Sequence, residues 1–206
     1  MIDRSAFFTA VRSNPFSGHL SQPQVDGINT IIDAWEQSDF ADLRWLAYMF
    51  GTVYHETGQT MQPIHEYGGN AYFKRMYDIT GDRPDMARQM GNMTPGDGIK
   101  YCGRGFVQLT WKNNYKKMGD ILQIDLVDDP DLAMQPATAA RIMIIGMTAT
   151  NLADTFSGIN LQRYFNANTA DWVGARHIIN GQDHAAEIAE TAQRFGNALT
   201  EVAATA

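Results

Sequence analysis

LRWLAYMFGTVYHETG (43–58) predicts a buried helix that ends in a polar turn. Its apolar run is too short to span a membrane and too long for an ordinary strand. Ser38 or Asp39 is expected to cap the start of the helix, and Gly58 stands where helices commonly stop. The helix therefore carries Glu56 to the edge of the core.

Apolar periodicity predicts further helices on both sides of a glycine-rich middle. Ser21 and Gln24 form a capping-box pattern ahead of an amphipathic stretch that runs to Trp35. Glycine, proline and aromatic residues are interspersed from 63 to 105, which is typical of loops with a short β-hairpin. Helical patterns resume at 111–122, 136–151, 169–179 and 184–199, the last with Asp183 as its cap.

Composition narrows the class of protein. The 206 residues are 44% hydrophobic and 19% charged, which is an ordinary globular balance. We expect one mainly α (α+β) domain over 1–206, in which a lobe at about 60–105 lines a substrate cleft. A net charge of −7 argues against nucleic-acid binding, and the single cysteine, Cys102, excludes an internal disulfide. The N-terminal residues lack the apolar run of a signal peptide, so we expect a protein that either works in the cytoplasm or needs help to leave it.

Two His-Glu pairs lie ten residues apart in YHETGQTMQPIHEYGG (54–69). A zinc-protease helix would need a second histidine four residues after His55, where Gln59 stands. The other histidines show no ligand spacing, so no metal site is predicted. Glu56 and Glu66 could instead be a catalytic acid and base, because apolar neighbours would favour a neutral, proton-donating Glu56. On spacing alone, two structural or surface glutamates are the commoner explanation.

YCGRGFVQLTWKNNY (101–115) has the composition of a carbohydrate groove. It contains no phosphate-binding glycine motif. Amides and a hydroxyl can bond sugar hydroxyls, and aromatic rings can stack on sugar faces. The candidates are Gln108, Thr110, Asn114 and Trp111, with Tyr72 from the glycine-rich stretch. Cys102 has no evident histidine partner and is expected to be a buried structural residue.

Together these segments resemble glycoside hydrolase family 19, the chitinase-like hydrolases that include bacteriophage endolysins. The resemblance rests on YHETG (54–58), MTPGDGIKYCGRGFVQLTWKNNY (93–115), ARHIINGQ (175–182) and ETAQRFGNAL (190–199). It covers most of the chain from about residue 40 and implies a lysozyme-like fold and a single catalytic domain of this family.

The resemblance implies a role for each matching residue. Glu56 would be the general acid, and Thr110 would hold the attacking water. Gln108, Asn114, Asn180 and Arg194 would contact substrate, with Tyr72 and Trp111 as aromatic candidates. The general base is Glu66 by analogy with the phage members, whereas the plant-type separation lands on Asp78. Where plant members have an acidic groove residue, this chain has His184.

The implied activity is inverting hydrolysis of β-1,4 bonds in peptidoglycan, with chitin as the alternative. An inverting pair of carboxyl groups is expected to lie about 6.5–9.5 Å apart, with a water between. No cofactor is expected. The predicted protein is a monomeric endolysin without stable membrane association. It would be made in the host cytoplasm and reach periplasmic peptidoglycan through a separate holin.

Overall fold

The apolar stretch from residue 43 is a helix, as predicted. In the computed structural model, α3 spans Leu43–Glu56. Asp42 caps it by accepting from the backbone N–H of Arg44, so the prediction of Ser38 or Asp39 as the cap was wrong. Ser38 instead donates its hydroxyl to Trp35 O at 2.6 Å, closing the preceding helix.

The structure describes residues 1–179 and 181–203, which fall into two compact units. The first unit is formed by Met1–Gln62 and Met143–Ala206, and the second by Pro63–Ile142. The loop-rich lobe expected at about 60–105 thus belongs to a larger unit that extends to residue 142. None of the helices formed by the described residues is long and apolar enough to cross a membrane.

The first unit is mainly helical. Its helices besides α3 are α1 (Arg4–Ser13), α2 (Gln22–Glu36) and α9 (Ala185–Ala203), and α8 (Pro136–Thr148) enters it from the second unit. The expected capping box of α2 is present, with Ser21 and Gln24 bonding each other's backbone N–H. Short 3-10 helices lie at Leu152–Asp154, Leu161–Arg163 and Gly174–Ile178, and a hairpin pairs β3 (Phe165–Asn166) with β4 (Thr169–Ala170).

The prediction of one helix over 169–179 was therefore wrong. Its first two residues pair with Phe165–Asn166 as β4. Asp171 then accepts from the backbone N–H of Gly174 at 2.8 Å, which fixes a turn before the 3-10 helix. Local side-chain-to-backbone bonding of this kind competes with helix formation and here outweighs the apolar spacing.

Close packing of α3 against α9 forms the core of the first unit. The rings of Phe50 and Phe195 lie 5.1 Å apart, and Phe7 stacks on Phe50 at 5.6 Å. Gly51 allows this approach, because a Cβ added there would lie 2.7–2.8 Å from the Cβ, Cα and N atoms of Ala192. This contact fixes the part of α3 that carries Glu56 at its C-terminal end.

Gly51→Ala is therefore expected to destabilise the protein. The added methyl group overpacks a helix interface against backbone atoms, while alanine's better helix propensity recovers part of the loss. We expect a net loss of about 1–2 kcal/mol and a melting temperature lower by roughly 2–8 °C in thermal unfolding. Gly196→Ala on α9 is the control, because a Cβ there would make only ordinary contacts, at 3.5 Å from Ala47 Cβ and Trp172 Cη2. An unchanged melting temperature for Gly51→Ala would contradict the packing argument.

The second unit contains more helix than its glycine content suggested. It holds α4 (Asn70–Tyr77), α5 (Pro84–Gln89), α6 (Asp97–Lys100), α7 (Lys112–Leu122) and a 3-10 helix at Pro130–Met134. The expected strand pair is β1 (Ile64–His65) with β2 (Arg104–Gly105), which is antiparallel. Since these strands lie far apart in sequence, they form a long-range pair and not a hairpin.

Arg104 lies between Gly103 and Gly105 and connects several parts of the second unit by hydrogen bonds. It is 6% exposed and donates to Asp131 Oδ1 at 2.7 Å, Lys100 O at 2.9 Å and Tyr115 Oη at 3.1 Å. Gly105 has a φ of 90°, which favours glycine. This arginine therefore has a structural role. It stabilises the backbone that leads into the groove candidates, which follow it in the sequence.

Candidate active site

Glu56, at the C-terminal end of α3, is held by a buried arginine. Its Oε1 accepts from Arg176 Nη1 at 2.7 Å, and the two side chains are 17% and 3% exposed. The prediction that only apolar groups surround Glu56 is therefore wrong, because a guanidinium contacts its carboxyl group. A charge-assisted bond to a buried, fixed guanidinium restricts the carboxyl group to one orientation.

Sequence reasoning missed Arg176. The residue lies in the 3-10 helix Gly174–Ile178, and its Nε donates to Asp183 O at 3.0 Å. The available signal was its place in the apolar ARHII run, since a buried arginine requires an acidic partner. Sequence spacing could not reveal which acid that was. Arg194, the arginine chosen from the family resemblance, instead pairs with Glu190 on α9 at 2.6 Å.

Arg176→Gln is expected to lower kcat by about 10²-fold, because loss of the guanidinium lets the Glu56 carboxyl leave its productive orientation. KM should change much less if Arg176 positions Glu56 and does not bind substrate. Steady-state kinetics would measure both constants. Arg4→Gln is the matched control, because Arg4 pairs with Asp33 and Glu36. A kcat that falls equally in both variants would contradict this role for Arg176.

Glu66, in the second unit, directly follows β1 and is held by three hydrogen bonds. Its Oε1 accepts from Tyr77 Oη at 2.7 Å and its Oε2 from Gly103 N at 2.9 Å. Its own N–H donates to Gly103 O at 2.8 Å. Burial, together with the bond to Glu66, raises the pKa of Tyr77, so the phenol remains a hydrogen-bond donor. The carboxylate is thus fixed through both oxygens.

Asp78, the alternative base, has a structural role in the same unit. It is 1% exposed, and its Oδ2 accepts from the backbone N–H groups of Gly96 and Gly98 at 2.7 and 3.2 Å. Its Oδ1 accepts from Thr80 N at 3.0 Å and Thr80 Oγ1 at 2.7 Å. Burial alone raises the pKa of Asp78, but these hydrogen bonds outweigh it and hold the pKa below its ordinary value of 3.8. The carboxylate ties together two turns.

The polar groove candidates form a connected group beside β1 and β2. Thr110 Oγ1 donates to Gln108 O at 2.8 Å, which leaves the hydroxyl oxygen free to accept. Asn114 Nδ2 donates to Thr110 O at 2.8 Å. Gln108 Nε2 donates to Ile64 O and Gly105 O, both at 3.1 Å. The amide nitrogens thus hold the local backbone, and the amide oxygens are the groups available to a ligand.

The two aromatic candidates lie around Tyr77. Trp111 meets the Tyr77 ring edge-on at 5.0 Å, and Tyr72 does so at 6.4 Å. Trp111 has a φ of 78°, which is uncommon for a bulky residue and is held by a backbone bond to Tyr101 O at 2.9 Å. Since Tyr77 donates to Glu66, these rings surround the tyrosine that holds the candidate base.

Asn180, the remaining groove candidate, lies outside the residues that the structure describes.

Cys102 has a histidine neighbour, contrary to the expectation from sequence. His65 Nε2 lies 3.5 Å from its Sγ, while the thiol donates its proton to Ile99 O at 3.1 Å. Burial raises the pKa of Cys102, so the group is a protonated thiol and not a nucleophile. The pair was missed because its members come from β1 and the turn before β2.

One cluster in the described part of the chain could hold a metal ion. His55, His184 and Glu187 place ligand atoms within 4.8 Å of one another. Sequence spacing does not group these residues, because the cluster joins the end of α3 to the start of α9. The inverting mechanism implied by the carboxyl groups does not need it.

Known proteins identify the family. The model of glycoside hydrolase family 19, described as chitinase class I, matches residues 33–171. The chain belongs to this family. The match includes Glu56, Glu66, Asp78 and Thr110 and ends before Arg176. It places the protein among glycoside hydrolases.

Relatives named as chitinases are similar to parts of this chain, and one solved structure shares its fold. The chain is 36% identical over 103 residues to an acidic endochitinase of Petunia hybrida, covering 50% of this chain and 34% of that protein. It is 46% identical over 57 residues to chitinase 11 of Oryza sativa subsp. japonica, covering 27% and 22%. The chain thus spans about a third or less of these relatives. Chitinase C from Streptomyces griseus HUT6037 shares the fold, with a TM-score of 0.51, 22% identity and coverage of 95% of this chain and 76% of that one.

Proposed function

We propose that this family 19 member is an endolysin. It would hydrolyse the β-1,4 bonds between N-acetylmuramic acid and N-acetylglucosamine in bacterial peptidoglycan, with inversion. The observation that carries the proposal is the different support of two carboxyl groups: Glu56 is held through one oxygen by Arg176, whereas Glu66 accepts hydrogen bonds at both oxygens. Two carboxyl groups in different roles are what glycoside hydrolysis by inversion requires.

Glu56 is the proposed general acid. It gives a proton to the glycosidic oxygen from the carboxyl oxygen that Arg176 does not hold. Arg176 Nη1 keeps its hydrogen bond to the other oxygen, so the group stays in one orientation as the proton leaves. Proton donation and the breaking of the bond to the leaving sugar are thus coupled at one group.

Glu66 is the proposed general base. An ionised carboxylate only accepts hydrogen bonds, and both oxygens of Glu66 are in accepting positions. It removes a proton from a water that attacks the anomeric carbon from the face opposite the leaving group. Thr110 would accept a second hydrogen bond from that water, because its own proton is directed at Gln108 O. No cofactor takes part.

The choice of peptidoglycan rests on the segment around the base. PIHEYGG (63–69), which contains Glu66, resembles the phage members of the family more than the plant members. Chitin is the second candidate, because the relatives from Petunia and Oryza are named as chitinases. As an endolysin, the protein would be a monomer that is made in the host cytoplasm and crosses to the periplasm after a holin permeabilises the membrane.

Digestion of Gram-negative peptidoglycan tests the proposal. The products are reduced with borohydride and identified by mass spectrometry, with the Glu56→Gln variant as the control. New ends carrying reduced N-acetylmuramic acid would support a muramidase, and reduced N-acetylglucosamine would show that the other link is cut. If peptidoglycan yields no new ends while chitin oligomers are cleaved, the protein is a chitinase. If neither polymer is cut, the proposed activity is wrong.

A further inference from the structure

Two histidines from distant parts of the chain meet where α3 ends and α9 begins. The rings of His55 and His184 have centroids 4.6 Å apart and are inclined at 42°. Glu187, in the first turn of α9, lies beside them, and the ligand atoms of all three residues fall within 4.8 Å. All belong to the first unit. Imidazole nitrogens with a carboxylate oxygen are a donor set that suits zinc and related ions.

His55 contributes a ligand from a well-packed position. Its side chain is half-buried at the C-terminal end of α3. A half-buried imidazole has fewer accessible orientations than an exposed one. His55 directly precedes Glu56, so the rigid end of α3 fixes its backbone.

His184 has a carboxylate at each ring nitrogen. Glu187 Oε2 lies 3.1 Å from its Nδ1, and Asp183 Oδ1 lies 3.5 Å from its Nε2. A metal-binding histidine commonly uses one nitrogen for the ion and donates the other N–H to a carboxylate, which orients the ring. Asp183 already lies where it can accept the hydrogen bond from the ring nitrogen that does not bind the ion.

The backbone also holds His184 in an uncommon conformation. Its φ of 54° is in the left-handed region, which few residues other than glycine adopt. The buried Arg176 bonds the preceding carbonyl, Asp183 O, at 3.0 Å. Strained backbone of this kind persists where the surrounding structure fixes it, and it is frequent at binding sites. It presents the imidazole toward His55.

We propose that His55, His184 and Glu187 bind one divalent transition-metal ion of the Zn²⁺ type, with water in the remaining position. Ligand bonds of about 2.0–2.1 Å in a tetrahedron place donor atoms roughly 3.4 Å apart, so the side chains must close by about 1.4 Å at most. His184 and Glu187 are exposed and can rotate to do so. The ion ties the end of α3 to the start of α9 and takes no part in hydrolysis.

Calorimetric titration of the full chain with ZnCl₂, after removal of metal by a chelator, tests the site. We expect one ion per chain, and at least tenfold weaker binding in His184→Asn and in Glu187→Gln. Asparagine tolerates left-handed φ and glutamine keeps the shape of glutamate, so both variants should fold. His19→Ala, which removes an exposed histidine of the same unit, is the control and should bind as the wild type does.

Two results would overturn the proposal: no binding by the wild type, or binding that His184→Asn leaves unchanged. Thermal unfolding gives a second readout, since an ion bound only by the folded state raises the melting temperature. Zn²⁺ should raise it in the wild type and in His19→Ala but not in His184→Asn. The outcome is separate from the proposed hydrolase, whose activity should survive the chelator.

Discussion

Glu56→Gln is expected to reduce hydrolysis by about 10²–10⁴-fold while the protein remains folded. Glutamine has the size of glutamate, and its amide oxygen can still accept from Arg176 Nη1. It has no proton of suitable acidity to give to the glycosidic oxygen. The loss should therefore appear in kcat, with the melting temperature close to that of the wild type.

The choice of glutamine over alanine matters for this test. Glu56→Ala would leave the Arg176 guanidinium buried and without its acidic partner, which is costly to stability. A loss of activity in that variant could come from unfolding alone. Near wild-type hydrolysis by a folded Glu56→Gln protein would remove Glu56 as the acid, whatever polymer is the substrate.

The second large effect separates Glu66 from Asp78. Glu66→Gln should keep its fold, because the amide oxygen can accept from Gly103 N while the amide nitrogen donates to the Tyr77 oxygen. Removal of the base should lower kcat by about 10²–10⁴-fold. This variant is expected to unfold near the wild-type temperature and to be almost inactive.

Asp78→Asn should show the opposite pattern. An amide has only one accepting oxygen, so the backbone N–H groups on one side of Asp78, either that of Thr80 or those of Gly96 and Gly98, lose their acceptor. We expect a loss of about 2–4 kcal/mol in unfolding free energy and a melting temperature lower by roughly 5–15 °C. The fraction that stays folded should retain a kcat near that of the wild type. A stable but inactive Asp78→Asn protein, beside an active Glu66→Gln protein, would make Asp78 the base.

The pH dependence of stability offers an independent check on Asp78. Its pKa is lowered in the folded state, so the unfolded chain binds the proton more tightly and the stabilisation is fully present above the ordinary value of 3.8. It is lost as the pH falls through the lower value of the folded state. The difference in stability between wild type and Asp78→Asn should therefore shrink as the pH falls below about 3.8, as measured by urea unfolding.

Helices that depend on apolar periodicity were predictable from the sequence. The spacing of Ile28, Ile31, Ile32 and Trp35 gave α2, and all four are buried in the structure. The apolar run gave α3 and its end at Glu56. Asn70–Tyr77 forms a helix among glycines and was not predicted. Its apolar residues are too few for a period, and contacts within the second unit decide its conformation.

The residues of the candidate site were proposed from the sequence, whereas the groups that hold them in place are visible only in the structure. Through the family resemblance, the segment HET (55–57) indicates Glu56, and the segment that begins with GRG (103–105) indicates Gln108, Thr110 and Asn114. The partner of Glu56 is Arg176, far along the chain, and no local pattern specifies such a contact. Glu66 and Asp78 differ in the groups from which their carboxylates accept hydrogen bonds. Those partners are brought together only by the fold.

The stereochemistry of the first product tests the inverting mechanism most directly. Proton NMR can follow the anomeric signals while the protein cleaves a soluble β-1,4-linked oligosaccharide of peptidoglycan or chitin. Attack by a water that Glu66 activates predicts that the new reducing end appears first as the α-anomer and then equilibrates with the β-anomer. A reducing end that appears first as the β-anomer would mean retention and would contradict the assignment of Glu66 as a general base.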